Sequence, residues 1–292
     1  MLKGVYTPKY HQDRLYYNIF KNHWREFLSV YEQRFQGKYG LLLDYQKETV
    51  EKFIRCGDPK YGFAYLECPR CGESFFAPFS CKSGVCNSCG EKHAIVWAEW
   101  VSSEVMLSCN SRHITLTIPV KLRRYFYRNT SLMKKYLETA CQLIRYIYTK
   151  DCPEKSAKPG IIAVLQTAGS RLNYNIHVHL SLTEGLISEK TDDTGDPIVY
   201  PLPKVNYRHI NYLWRNSILA LLKNFRIIDH KTLLRYRKDF PNGFYVDVRY
   251  KATCGREERE KMARYLLHQP IGENRILDYS PEEKMVRILY KG

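Results

Sequence analysis

The chain has 292 residues, 44% of them hydrophobic, which is enough for one large domain and a small appended one and argues against wholesale disorder. Lys and Arg outnumber Asp and Glu by 46 to 30, a net charge of +16, which favours an anionic polymer such as nucleic acid as partner over a basic but otherwise ordinary enzyme. No stretch reaches about 18 apolar residues and the N-terminus has no apolar signal core, so we expect a cytoplasmic protein with no membrane partner.

Hydrophobic periodicity and turn residues predict an alternation of helices and strands. In chain order we predict helices over 11–36, 45–55 and 91–107, a strand over 113–118, a helix over 131–149, strands over 161–166 and 174–182, a surface loop over 191–203, helices over 207–224 and 229–238, a strand over 244–249, a helix over 256–268, and a hairpin from 275–278 and 285–290. This order is typical of an α+β domain in which helices flank a mainly antiparallel sheet, preceded here by a helical N-terminus.

Five of the ten cysteines fall within residues 68–89, which indicates a metal site because a reducing compartment disfavours disulfides. Four of the five form two C-x-x-C pairs: Cys68, Cys71, Cys86 and Cys89. The gap of 14 residues between the pairs is close to the spacing of zinc ribbons, and four thiolates suit a structural zinc ion. Cys81 is a fifth thiol that competes for the four places, and Cys56 upstream matters if a second ion binds.

His177 and His179 alternate along the strand predicted over 174–182, so their imidazoles share one face while Val178 faces the core. Two imidazoles on one strand face form half of a metal site. The alternative is a pair of ordinary surface histidines.

The helix predicted over 256–268 carries Tyr265, and Gln269 follows one helical turn later on the same face. Tyr265 can supply a phenol nucleophile, and the amide oxygen of Gln269 can complete a His-His-Gln set for Mg²⁺ or Mn²⁺. His268 is a rival third ligand. The alternative for Tyr265 is a tyrosine of the core.

Together these segments resemble the rolling-circle transposases of the insertion sequence ninety-one type. The cysteine pairs with Ser80-Cys81-Lys82 resemble the zinc-binding domain of that family, and the run 113–119 resembles the strand after it. The run 167–174, which leads into His177 and His179, resembles its His-hydrophobe-His (HUH) motif, and the runs 264–267, 270–271 and 275–276 resemble its catalytic tyrosine segment. The similarity covers about residues 44–290.

The resemblance implies an N-terminal helical region over 1–60, a zinc-binding module over 61–95 and a catalytic domain over 96–292. It implies a DNA transposase that nicks and rejoins single-stranded DNA at transposon ends through a 5′-phosphotyrosine on Tyr265. In that reading His177, His179 and Gln269 hold Mg²⁺ or Mn²⁺, and zinc is structural. The expected DNA contacts are Arg123, Arg124 and Arg264. The first two belong to the basic and aromatic run 121–128, which could follow the DNA strand through phosphate contacts and stacking.

Two features depart from the family pattern. Two-tyrosine members carry a second tyrosine where this chain has Gln269, which makes it a single-tyrosine variant, and members continue well beyond the point where this chain stops at Gly292, which predicts a truncated copy. The expected partners are single-stranded or hairpin DNA and target DNA, in the nucleoid, with a homo-oligomer left open. The alternatives are a replication initiator with the same HUH site and an inactive zinc-containing DNA-binding relic.

Overall fold

The structure is a computed structural model that describes residues 14–202, 206–252, 255–267 and 269–290. The chain divides into two compact units, one from the described parts of 1–96 and 268–292 and the other from 97–267. The expected division into a helical region, a zinc-binding module and a catalytic domain, with boundaries after residues 60 and 95, stays a prediction.

The elements follow the predicted order closely. The helices are α1 (Leu15–Arg34), α2 (Gln36–Tyr39), α3 (Asp44–Ile54), α4 (Asn87–Trp100), α5 (Val120–Arg123), α6 (Thr130–Thr149), α7 (Tyr207–Asn224), α8 (His230–Asp239) and α9 (Arg256–Leu266). The strands are β1 (Phe63–Glu67), β2 (Ser74–Pro78), β3 (Ser111–Thr117), β4 (Lys158–Ala168), β5 (Tyr174–Thr191), β6 (Pro197–Pro201), β7 (Val246–Ala252), β8 (Ile276–Ser280) and β9 (Met285–Ile288).

Two strand-forming segments differ from the prediction, and the short helix α5 was not predicted either. The loop predicted over 191–203 contains β6, which pairs with the far end of β5, because β5 continues to Thr191 and its partner returns after the turn at 192–196. The cysteine-rich block contains the antiparallel hairpin β1–β2, whose residues are mostly exposed and therefore lack the alternating pattern by which strands are predicted.

The second unit is built on a five-stranded sheet with the order β4-β5-β3-β7, to which β6 adds beside β5. Each pairing in it is antiparallel, and helices pack against it, so the predicted α+β class is confirmed. Alternation along β3 buries Ile114 and Leu116 completely on one face and leaves His113 and Thr115 on the other.

Helices α6 and α7 cover the apolar face of this sheet. The Tyr136 hydroxyl on α6 donates to the Leu116 carbonyl at 3.3 Å, and the Trp214 indole on α7 donates to the Thr117 carbonyl at 2.8 Å. Both side chains are fully buried in the main core, so their polar atoms need these partners. The two bonds hold the helices against β3, the strand beside the histidine pair.

The first unit has a small core. Tyr17 on α1 and Phe53 on α3 are buried beside Cys56 and Cys86, and their rings meet edge to face at 5.8 Å. The hairpin β8–β9 confirms the predicted C-terminal hairpin and contacts α1. Among the described residues, every helix is too short or too polar to span a lipid bilayer.

Candidate catalytic site and metal sites

The polar face of the second unit's sheet brings three histidines together. Thr117 pairs with His177 and Thr115 pairs with His179 across β3 and β5, and His113 follows on the same face of β3. All three histidines are buried, and the rings of His177 and His179 lie 4.7 Å apart between centroids. The predicted shared face of the histidine pair is therefore present.

The tautomer of His177 follows from one hydrogen bond. Its Nδ1 lies 2.7 Å from the backbone oxygen of Asn175. A carbonyl oxygen only accepts, so Nδ1 carries the proton, and in the neutral ring the lone pair then resides on Nε2. This is the arrangement in which an imidazole is prepared to ligate a metal ion.

His179 is held by two neighbours on β3. Its Nδ1 lies 3.0 Å from His113 Nε2 and 3.2 Å from the Thr115 hydroxyl oxygen. The rings of His113 and His179 are nearly parallel, at 19°, with centroids 5.1 Å apart. Burial lowers the pKa of His113 to about 4, against a smaller opposing effect of the Asp247 carboxylate, so the ring is neutral at pH 7. Sequence reasoning treated His113 only as the start of a strand.

Tyr265 lies beside these imidazoles. Its ring centroid is 5.0 Å from that of His113 and 5.5 Å from that of His179, both edge to face. Helix α9 buries Met262, Ala263 and Leu266, which leaves Tyr265 half exposed on the neighbouring face. A phenol next to a buried imidazole pair and open to solvent is accessible to a polymeric substrate.

Gln166 is a second polar residue that the sequence did not single out. It pairs with His177 across β4 and β5, so both side chains lie on the same face of the sheet. Its amide nitrogen donates to the Leu266 carbonyl at 3.1 Å, directly after Tyr265 in the chain. Only the pairing of Gln166 with His177 would have identified this residue, and that pairing cannot be read from the sequence before the register of β4 against β5 is known.

The structure places Gln269 in the first unit. Its amide nitrogen donates to the Cys86 carbonyl at 3.0 Å, and it occupies the space where a side chain on Gly90 would begin. Its role as a metal ligand stays a prediction. The rival ligand His268 lies outside the described residues.

The three predicted DNA contacts differ in exposure. Arg123 is partly buried and donates to the Ile118 carbonyl at 3.3 Å. Arg124 is exposed beside Tyr125, with its guanidinium 5.0 Å from that ring. Arg264 is exposed and pairs with Glu260 one turn earlier on α9. Arg124 and Arg264 are therefore accessible to a phosphate.

Four thiols of the first unit converge on one point. The Sγ atoms of Cys56, Cys81, Cys86 and Cys89 all lie within 4.8 Å of one another. The resolved separations are 3.6 Å from Cys56 to Cys89, 3.7 Å from Cys81 to Cys89 and 3.9 Å from Cys86 to Cys56. A tetrahedral zinc ion with bonds of about 2.3 Å requires sulfur separations of about 3.8 Å. The group therefore fits zinc.

The electrostatics of the cluster point the same way. The contact with Cys56, followed by those with Cys81 and Cys89, raises the pKa of the Cys86 thiol, because neighbouring sulfurs cannot all carry negative charge without a cation. Backbone N–H groups already face two of the sulfurs, from Cys81 to Cys56 at 3.2 Å and from Ser83 to Cys81 at 3.5 Å.

The four thiols that converge differ from the predicted zinc ligands, which were Cys68, Cys71, Cys86 and Cys89 with Cys81 as a competitor. Cys68 and Cys71 lie in the turn that closes the β1–β2 hairpin, whereas Cys56 and Cys81 flank its open end. A five-residue strand spans about 16 Å, so one ion cannot reach both ends. Within this turn, hydrogen bonds from the backbone of Arg70 and Cys71 lower the pKa of the Cys68 thiol.

Two family models match separate segments of the chain. A model described as "Transposase zinc-binding domain" matches residues 19–118, and one described as "Putative transposase" matches residues 160–291. The chain belongs to the IS91-type transposase family. The first match contains the four-cysteine cluster, and the second contains the HUH strand and Tyr265.

A curated relative agrees with this assignment. The chain is 30% identical over 153 residues to the transposase for insertion sequence element IS801 of Pseudomonas savastanoi pv. phaseolicola. The alignment covers 52% of this chain and 36% of that protein, so the chain matches little more than a third of the relative's length. No solved structure matches the chain.

Proposed function

We propose that this IS91-type family member nicks and rejoins single-stranded DNA at the ends of an insertion sequence, with Tyr265 as the nucleophile. The observation that carries the proposal is the position of the Tyr265 ring, 5.5 Å from that of His179 in a buried imidazole pair. The match to a transposase over half of the chain supports transposon ends as the DNA.

The reaction is an in-line displacement at phosphorus. The phenol oxygen of Tyr265 forms a bond to the phosphorus and the bond to the 3′ oxygen breaks, which leaves a 5′-phosphotyrosine and a 3′-hydroxyl. The phenol gives up one proton and the departing 3′ oxygen takes one up, so no net proton is consumed. The covalent bond retains the energy of the broken one, and a second 3′-hydroxyl reverses the step to rejoin the strand.

The residues beside Tyr265 fit a divalent cation. Imidazoles with Nδ1 tied to a neighbour, as in His177, together with an amide oxygen form a suitable donor set for Mn²⁺ or Mg²⁺. When bound, such an ion withdraws charge from the attacked phosphate. His177 and His179 are two of the proposed ligands, and Gln269 and Gln166 are the candidates for the third. A zinc ion on the four-cysteine cluster stabilises the first unit.

The nucleophile is tested with single-stranded oligonucleotides from the ends of the DNA element that encodes the chain, labelled at either terminus, in Mn²⁺. We expect a denaturant-resistant adduct that retains only the 3′ label, because a 5′-phosphotyrosine keeps the downstream fragment. Tyr265→Phe should abolish it, and Tyr146→Phe, at a tyrosine exposed on α6, should not. DNA binding without an adduct would support the inactive relic, and an adduct on replication origins alone would support an initiator.

The third ligand is tested in the same assay by titrating Mn²⁺. Loss of the true ligand should raise the Mn²⁺ concentration for half-maximal adduct formation by about tenfold or more. Gln166→Ala and Gln269→Ala are the two variants compared. A residue whose replacement leaves the Mn²⁺ requirement unchanged is removed from the site.

A further inference from the structure

The two histidines of the HUH strand are each tied at Nδ1, but by different partners. For His177 the partner is the backbone carbonyl of Asn175, which only accepts. For His179 the nearest partner is the Nε2 atom of another imidazole, that of His113, at 3.0 Å. One ring of such a pair must donate and the other accept, so the tautomer of His179 depends on His113.

We infer that His113 is a positioning residue that accepts the Nδ1 proton of His179 and thereby holds the His179 lone pair on Nε2. This inference rests on the proposed function only in taking the His177 and His179 pair as the metal site. With His113 as the acceptor, both histidines present the same ring atom as the potential ligand. Neighbours that fix the ring in this way raise metal affinity in proteins by about 10–100-fold.

The contacts of His113 suit this role better than those of Thr115. A threonine hydroxyl rotates and can donate as readily as it accepts, so at 3.2 Å it does not select a tautomer. His113 is buried, and its ring plane lies within 19° of that of His179, which fixes both the distance and the direction of the bond. Asp247, opposite Thr115 on β7, places a negative charge near the His113 ring.

His113 also contacts the nucleophile. Its ring meets that of Tyr265 edge to face at 5.0 Å and 84°. One side chain therefore contacts both the imidazole and the phenol, and it lies on a strand whose apolar face belongs to the main core. A change at His113 should act on metal binding first, since the bond to His179 depends on a nitrogen acceptor whereas the contact with Tyr265 needs only a ring.

The test measures Mn²⁺ affinity by calorimetry, without DNA. His113→Phe keeps a ring beside Tyr265 and removes the acceptor, and we expect it to weaken Mn²⁺ binding by about 10–100-fold. His113→Gln restores an acceptor oxygen and should recover most of the affinity. His230→Phe, at an exposed histidine on α8, is the matched control and should leave the affinity unchanged. Circular dichroism of each variant separates loss of the fold from loss of affinity.

The tautomer is read directly by ¹⁵N NMR of the imidazoles in the unsubstituted chain, which does not require any variant to fold. We expect the Nδ1–H tautomer for His179. The Nε2–H tautomer would overturn the inference, as would unchanged Mn²⁺ affinity in folded His113→Phe. An equal loss of affinity in Thr115→Val but none in His113→Phe would transfer the role to Thr115.

The role of His113 and the proposed function can be refuted separately. If no tyrosine adduct forms but the His179 tautomer and the Mn²⁺ affinities are as expected, the strand-transfer proposal fails and the role of His113 stands. If the adduct forms and is lost in Tyr265→Phe while His113→Phe binds Mn²⁺ normally, the reverse holds.

Discussion

Cys56 belongs to the four-cysteine cluster, but rules based on the spacing of cysteines in the sequence do not detect it. It precedes Cys81 by 25 positions and belongs to no C-x-x-C pair, yet its sulfur lies 3.6 Å from that of Cys89. It follows helix α3, and the Gly57 amide donates to the Phe79 carbonyl, which brings the chain before the hairpin beside the chain after it. The hairpin between them therefore carries its own cysteines away from the cluster.

Zinc content distinguishes the two sets of ligands. Cys56→Ser should lower the zinc bound per chain, because a serine hydroxyl is a poor replacement for a thiolate. Cys68→Ser, the matched change on the hairpin turn, should leave the zinc content unchanged. Metal analysis of both purified proteins by mass spectrometry gives the answer, and loss of zinc in Cys68→Ser alone would restore the ligand set expected from the sequence.

Among the elements, α9 decides where the nucleophile lies. Its apolar side is narrow, and Ala263 is fully buried against Ala98 and Val101. An alanine at each of two contacting positions lets the helix approach the segment 97–106 closely. The guanidinium of Arg259, one turn earlier, donates to the Ser102 carbonyl at 3.2 Å and secures the same approach. The position of Tyr265 depends on this contact as well as on its own ring.

Enlarging the buried alanine should move the helix. Ala263→Leu enlarges a side chain that is fully buried, and we expect it to lower the free energy of unfolding by about 1–3 kcal/mol and to reduce adduct formation by Tyr265. Lys261→Leu introduces the same side chain at an exposed position of the same helix and should change neither. Thermal unfolding and the adduct assay measure both effects. Equal behaviour of the two variants would mean that α9 does not position the phenol.

At the scale of the whole molecule, local patterns predicted the elements but not the contacts between distant strands. His177 and His179 share a face because side chains alternate along a strand. Their two-residue spacing can be read from the sequence without knowing the fold. Gln166 and His113 join them only through the registers of β4 and β3 against β5, and no local pattern sets a register between strands. The convergence of the four cysteines was not predicted for the same reason, since Cys56 and Cys81 lie at the open end of a hairpin that was itself not predicted.

The two units also differ in the composition of the hydrophobic core that stabilises each one. The core of the second unit joins five strands to α6, α7 and α8 through large, fully buried side chains such as Trp214 and Tyr136. The core of the first unit centres on Tyr17, Phe53, Cys56 and Cys86, so two of its four buried members are proposed zinc ligands. We therefore expect a unit with so small a core to depend on a bound metal ion, because binding free energy then serves as folding free energy.

Removing zinc should therefore unfold one unit and spare the other. Treatment with a strong zinc chelator should expose the described part of 14–96 to limited proteolysis, while 97–267 stays resistant because its core contains no proposed zinc ligand. Mass spectrometry of the fragments maps the cleavage sites, and adding Zn²⁺ before the protease should restore resistance. Cys68→Ser should behave like the unsubstituted chain at every step. Cleavage spread evenly over both units, or none at all after zinc is removed, would show that the metal does not stabilise the first unit selectively.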